Sequence, residues 1–354
     1  MEKSNQSTFI IPVFIPHKGC PHRCVFCNQT TITGQSDSTL TPESLRRTID
    51  EFLNFKTDND ITQISFYGGT FLGLGNREIE MCLSEAAKYV QEGKTDSIRF
   101  STRPDSITRE KMKLIKTYPV KTIEIGVQSM ANDVLEKAGR GHTAEDTINA
   151  VRILKSEGYE TGLQLMPGLP GDTENTMIAT TKKIIQLKPD FVRIYPTIAF
   201  KGSGLEQMVS EGAYSPLSLD KSIDITKKMY LRFLKAGIPV IRMGLQSSVD
   251  FNESNEVIEG PYHPAFGHLV FSAIFLEMAF KALSTAPPEK TDLIIYVESR
   301  DISKMRGLKN SNIGVILDTF KLSTIKVKPD ISLEKNTIKI NGVLVDMISL
   351  CNKL

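Results

Sequence analysis

Three cysteines fall within eight positions of one another in the segment GCPHRCVFCNQ, at Cys20, Cys24 and Cys27. The spacing is C-x3-C-x2-C, directly after an apolar run that reads as a first strand. Three thiolates on one tight loop can hold three irons of a four-iron cubane and leave the fourth iron without a protein ligand. Such an open position is what a catalytic metal needs. The same residues also fit a Cys3His zinc site, with His17 or His22 as the fourth ligand. Five cysteines in 354 residues, three of them clustered, do not make a disulfide framework. Clustered thiols in a reducing compartment point to a metal or a redox cofactor.

Such a loop works only if a scaffold presents it, and the rest of the chain has the pattern of one. Apolar, β-branched runs predict strands at Phe9–Ile15, Ile61–Tyr67, Ser97–Thr102, Thr122–Val127, Thr161–Met166 and Phe191–Tyr195, with Pro239–Met243 as a weaker seventh. Helical periodicity fills the gaps over Pro42–Phe55, Arg77–Gln91, Thr108–Thr117, Thr143–Glu157 and Glu174–Gln186. In Arg77–Gln91 the residues Ile79, Cys82, Leu83, Ala86, Ala87 and Val90 share one face. Alternating strand and helix predicts right-handed βαβ units on a parallel sheet. The fold expected is α/β, a partial (β/α)6 TIM-like barrel with functional groups at the C-terminal ends of its strands. A helix over Leu217–Ala236 closes this unit. The domains expected are residues 1–252 and a small α+β domain over 253–354.

The polar motifs fall where that rule puts them. SFYGGTF ends the second strand, and Gly68 and Gly69 allow a ligand close to the backbone, with Thr70 next. STRPD follows the third strand with Ser101, Arg103 and Asp105; Asp105 also suits a helix N-cap. EIGVQSM ends the fourth with Gly126 and Gln128, and Glu124 is read as facing the opposite side. GRGHT carries Arg140, a planar fork for a carboxylate. His142 beside it is a candidate proton donor, substrate ligand or N-cap neighbour. LQLMPGLPG forms a rigid turn, and VRIYPT offers Arg193 and Tyr195 to a cavity.

Together these motifs resemble the radical S-adenosylmethionine (SAM) superfamily, whose loop carries an aromatic before its last cysteine, here Phe26. Within it the chain is similar to the radical SAM core of the Elongator catalytic subunit and, more distantly, to oxygen-independent coproporphyrinogen oxidase. GGTF, GVQS, RGHT, MPGLPG and IYPT occur in the same order over residues 8–247. The resemblance implies a [4Fe–4S] cluster on Cys20, Cys24 and Cys27. It implies SAM contacts at Gly68, Gly69, Thr70, Ser101, Arg103, Gln128 and Arg140. It also implies reductive cleavage of SAM to a 5′-deoxyadenosyl radical, with reduced flavodoxin or ferredoxin as electron donor. A tRNA nucleoside is the substrate it suggests first, and a small metabolite or tetrapyrrole second. Residues 255–354 contain no G-x-G, so acetyl-CoA is not expected as a ligand.

Composition is that of a globular chain with a sizeable core: 40% hydrophobic, 24% charged, net charge +2. That balance demands no polyanionic partner, so any nucleic-acid contact must rest on a local patch. No stretch reaches the ~20 apolar residues of a membrane span. The run from Leu269 carries Glu277 and reads as a core helix. The polar start, followed by a run with two prolines, reads as a strand rather than a leader. A cytoplasmic protein is expected. The tail Pro287–Leu354 has 11 Lys and Arg against 8 Asp and Glu. Lys321, Lys326 and Lys328 read as one strand, as a phosphate-facing surface or, in preference, a protected edge. Tyr262, His263 and His268 read as ordinary loop and core residues, Cys82 as core, and Cys351 as incidental.

Overall fold

A computed structural model describes residues 8–15, 19–28, 40–57, 61–245 and 256–353. The first half alternates as expected. It comprises β1 (Thr8–Ile15), α1 (Pro42–Leu53), β2 (Ile61–Gly68), α2 (Asn76–Gln91), β3 (Ser97–Thr102), α3 (Arg109–Ile115) and β4 (Val120–Gln128). Next come α4 (Asn132–Lys137), α5 (Ala144–Ser156), β5 (Glu160–Leu165), α6 (Glu174–Leu187) and β6 (Phe191–Ile194). The unit ends with β7 (Ala199–Phe200), α7 (Gly204–Ser210), α8 (Leu219–Lys235) and β8 (Val240–Met243).

Helix starts agree with the sequence to within two residues, and most are fixed by a side-chain cap. Thr41, Thr108, Thr143, Thr173, Ser203 and Ser218 each accept a hydrogen bond from the backbone amide three residues on. Each such cap contributes about 1 kcal/mol. The caps also stop each loop at the same rim of the sheet, where the motifs lie.

The sheet runs β1-β2-β3-β4-β5-β6-β8, seven strands, all parallel. It therefore holds the six expected strands and the weaker seventh. Its curl is shown by one contact: Tyr67 Oη and Arg193 Nη2 lie 3.4 Å apart. β2 and β6 are separated by three strands, and a flat sheet with about 4.8 Å per strand would keep them roughly 19 Å apart. The sheet is a partial barrel, and these side chains meet in its lumen.

The remaining elements are β9 (Val257–Glu259), α9 (Phe266–Thr285), β10 (Asp292–Val297), α10 (Ile302–Arg306), α11 (Ser311–Phe320), β11 (Thr324–Pro329), β12 (Thr337–Ile340) and β13 (Val343–Asp346). A four-stranded mixed sheet, β11-β10-β12-β13, packs on α9 around a second core. α9 is apolar over most of its surface, with its buried residues on the second core and Glu277 paired outward with Lys227. It is a core helix, as Glu277 suggested. α8 joins the two cores: Ile225, Met229 and Phe233 pack against the barrel, and Leu231 packs against the second core. The expected boundary at residues 252 and 253 lies outside the described residues.

One expectation for the tail is corrected. Lys321 is not on a strand; it ends α11 in left-handed conformation at φ 54°. Lys326 and Lys328 do lie exposed on β11, which is an edge strand. Cys82 is fully buried in the first core, and Cys351 in the second. His263 Nδ1 accepts from the Ala265 amide and His268 Nε2 lies 3.4 Å from Ser272 Oγ, both local contacts.

Candidate active site at the mouth of the barrel

The cysteine loop, residues 19–28, is clamped between two turns at the C-terminal rim. On one side it lies against the GGT turn. Gly19 has φ +74°, and a Cβ there would lie 2.3 Å from the Thr70 carbonyl oxygen. A Cβ on Gly73 would lie 2.0 Å from the Gly19 carbonyl oxygen. On the other side the Val25 amide donates to the Ala138 carbonyl at 3.1 Å, and a Cβ on Gly141 would strike the His22 ring. Val25 and Phe26 pack on Val134, Ala138, Met166 and Leu169, which gives the aromatic before the last cysteine its role as an apolar anchor. Gly19 and Gly73 were not singled out in the sequence, because only their mutual approach makes them special.

The thiols reach both turns. Cys20 is exposed, with Sγ 3.1 Å from Thr70 Oγ1. Cys24 is buried and accepts from Arg140 Nη1 at 3.3 Å. The Cys27 amide donates to the Cys24 carbonyl at 3.1 Å, which tightens the turn.

Arg140 is a strut as well as a cation: its Nη2 donates to the Gly126 carbonyl at 2.7 Å, tying the loop to β4. Each terminal nitrogen thus spends one of its two N–H groups inside the protein, and Nε is buried without a partner. Gly68, at φ +102°, turns the chain under Ile15, and the Gly69 amide donates to the Ile15 carbonyl at 2.8 Å. Thr70 is buried and Ser101 half-buried at the end of β3. Arg103, 2% exposed, grips Asp105 through two bonds of 2.9 and 2.8 Å, leaving Nη1 without a partner. Asp105 is therefore an arginine partner and not an N-cap; Thr108 caps α3. Gln128 is buried at φ +67°, a left-handed backbone at a shift in the β4–β5 ladder. That conformation costs of order 1 kcal/mol for a residue with a side chain.

His142 is buried, with Nε2 3.3 Å from the Val127 carbonyl oxygen. A carbonyl only accepts, so the ring proton sits on Nε2 and leaves Nδ1 unpartnered. Burial first, then Arg140 and Arg103, push its pKa down to about 3. A neutral ring does not suit the role of a charged proton donor. The pH consequence is definite. Between about 6.5 and 3 the unfolded chain takes up a proton that folded His142 refuses, so stability falls with falling pH, by about 1.4 kcal/mol per unit. Urea unfolding at pH 7 and pH 5 is expected to show a steeper loss for the natural chain than for His142→Gln.

Inside the barrel, side chains from four strands converge below this rim. Glu124 on β4 lies 3.3 Å from Arg99 Nε and 2.8 Å from Arg193 Nε. Arg193 Nη1 donates to Tyr195 Oη at 3.1 Å. Burial opposes the charge on Arg193, but Glu124 and then Tyr195 and Tyr67 outweigh it and raise its pKa. Glu124 thus faces the lumen, on the same side as Gly126 two residues on, contrary to the sequence expectation. Arg99 was not singled out; its signal was a cation inside the apolar strand SIRFST. Phe191 covers Arg99, with the guanidinium carbon 5.0 Å from the ring centroid, in the space that Gly162 leaves open.

Among the described residues, no three His, Cys, Asp or Glu side chains converge as a single-ion site requires. His17 lies outside the described residues. A cubane keeps its cysteine sulfurs farther apart than one ion does, and a loop bearing three thiols suits it. Arg140 Nε, Arg103 Nη1 and His142 Nδ1 are buried polar atoms without partners beside that loop, and a polar ligand at the rim would satisfy them. Fold and site together define a partial barrel with a thiol-rich loop at its mouth.

Comparison with known proteins agrees. Residues 14–184 match the model of the Radical SAM superfamily and residues 189–274 that of the Radical_SAM C-terminal domain. The chain belongs to the radical SAM superfamily. It is 28% identical over 257 residues to the tRNA uridine(34) acetyltransferase of Methanocaldococcus jannaschii, covering 61% of this chain and 47% of that protein. It is 26% identical over 258 residues to Elongator complex protein 3 of Dictyostelium discoideum, covering 60% and 46%. The chain thus spans about half the length of these curated relatives. In structure it is similar to the archaeal Methanocaldococcus infernus Elp3 with its N-terminus deleted, with TM-score 0.60, 22% identity, and 76% and 63% of the two chains covered.

Proposed function

We propose that Cys20, Cys24 and Cys27 hold a [4Fe–4S] cluster and that the enzyme cleaves SAM to act on a nucleoside of tRNA. The carrying observation is the clamped loop, with Cys20 against Thr70 and Cys24 against Arg140. Bound there, the cluster would supply one electron at low potential, and SAM the 5′-deoxyadenosyl radical that abstracts hydrogen from the substrate. Gly68, Gly69 and Thr70 supply backbone and hydroxyl groups on one side of the loop. Ser101, Arg103, Gln128 and Arg140 supply polar groups on the other. Arg140 positions Cys24, and its N–H on that sulfur tunes the potential of whatever metal the sulfur binds. Val25 and Phe26, seated on Met166 and Leu169, keep water from the inner side of the loop. Reduced flavodoxin or ferredoxin is the electron donor this chemistry calls for.

The tRNA substrate is supported by the named activity of the relatives. Its test is retention of bulk tRNA over a salt series, with 5′-deoxyadenosine release measured alongside. Phosphate contacts release counterions, so binding is expected to weaken steeply with salt. Release stimulated by tRNA is expected. Release indifferent to tRNA, with no retention at low salt, would move the substrate to a small molecule.

A further inference from the structure

The barrel lumen contains two polar layers of different character. The lower one is closed on itself: Gln63 Nε2 donates to Ser97 Oγ at 3.0 Å and to Thr122 Oγ1 at 3.2 Å, and the Thr122 hydroxyl bonds Glu160. The upper one is not closed. Arg99 and Arg193 share one carboxylate, Glu124, and the other lumen carboxylate, Glu160, is engaged by Thr122 in the lower layer. Among the described residues Arg99, 94% buried, forms no hydrogen bond, and Glu124 is its charged partner. Tyr67 and Tyr195 add hydroxyls, not charge.

A buried guanidinium without a hydrogen bond is costly unless something compensates it. The layer also stands in the right place. Arg193 is one residue from the end of β6 and pairs with Gln164, which pairs with Gly126, the residue Arg140 ties to Cys24. It therefore lies just inside the mouth that the cysteine loop covers.

We propose that Arg193 and Arg99 form an oxyanion subsite in the lumen that docks a phosphate or carboxylate of the substrate. Guanidinium forks suit such planar or tetrahedral oxyanions, and Glu124 is the carboxylate that now engages both Nε atoms. This deepens the proposed function by naming a chemical group its substrate must carry, and it rests on that reading for the identity of the reaction.

The test is calorimetric titration of the reconstituted protein with inorganic phosphate and with acetate, in the natural chain, Arg193→Gln and Glu124→Gln. Arg193→Gln is expected to weaken the preferred anion at least about tenfold, the loss of a charge-assisted hydrogen bond. Glu124→Gln removes the competing carboxylate and is expected to tighten it several-fold. This second variant keeps the test decisive if the first folds poorly. Preference for phosphate assigns the group to a nucleotide or phosphorylated substrate, and preference for acetate assigns it to a carboxylate. Affinities for both anions unchanged in both variants would overturn the subsite. Because binding is read without SAM cleavage, its failure and that of the radical chemistry remain separable.

Discussion

Replacing Cys24 by alanine is expected to abolish iron and sulfide incorporation and to lower 5′-deoxyadenosine release at least about 100-fold, more than removing a supporting contact would. Two losses combine. The loop loses one of three thiolates, and Arg140 Nη1 loses the sulfur it donates to at 3.3 Å. The chain is expected to fold, because the first core is built from the sheet and its helices and contains none of residues 19–28. Iron and sulfide analysis beside far-ultraviolet circular dichroism separates the two: metal lost, secondary structure kept. Normal iron content in Cys24→Ala would remove that residue from the ligand set.

Gly73→Ala is expected to have a comparable effect on the site without touching a polar group. The added Cβ would lie 2.0 Å from the Gly19 carbonyl oxygen and 2.9 Å from its carbon, and backbone cannot rotate away as a side chain can. Gly73 does not have positive φ, so steric overlap is the whole penalty. The loop must lift from the GGT turn, separating Cys20 from Thr70. Overpacking of this kind costs about 1–3 kcal/mol, and a shift of about 1 Å at reacting groups can cost on the order of 100-fold in rate. Reduced iron content with a lowered unfolding midpoint is the expected readout. Gly314→Ala is the control: nothing lies within 4 Å of the added carbon. In that exposed helix position alanine is expected to be neutral or to stabilise by about 0.5–1 kcal/mol.

Those two glycines mark where sequence reading stops. The barrel was legible because its signals are local: β-branched runs make buried parallel strands, and Thr and Ser caps stop each helix. The cysteine loop and the Gly68–Gly69 turn were legible because their chemistry is written in residue type and spacing. Arg140 was legible as a cation, but not as a strut, since its bond to Gly126 depends on how GRGHT folds back on β4. Arg99 and Glu124 needed the curl of the sheet, which brings β2 and β6 together and which no local pattern announces. In the tail, Lys321 was placed on a strand because it precedes one in sequence, whereas α11 extends up to it and ends there. The helices α10 and α11 carry little local signal, because each is short and they are separated by Gly307 and left-handed Lys309 and Asn310.

The most direct measurement is 5′-deoxyadenosine release from SAM by the anaerobically reconstituted, dithionite-reduced protein. Release that scales with cluster content and vanishes in Cys24→Ala is predicted. Colourless protein that takes up zinc in place of iron, or a fully loaded cluster that releases no 5′-deoxyadenosine under reduction, would contradict the assignment of the cysteine loop to SAM cleavage.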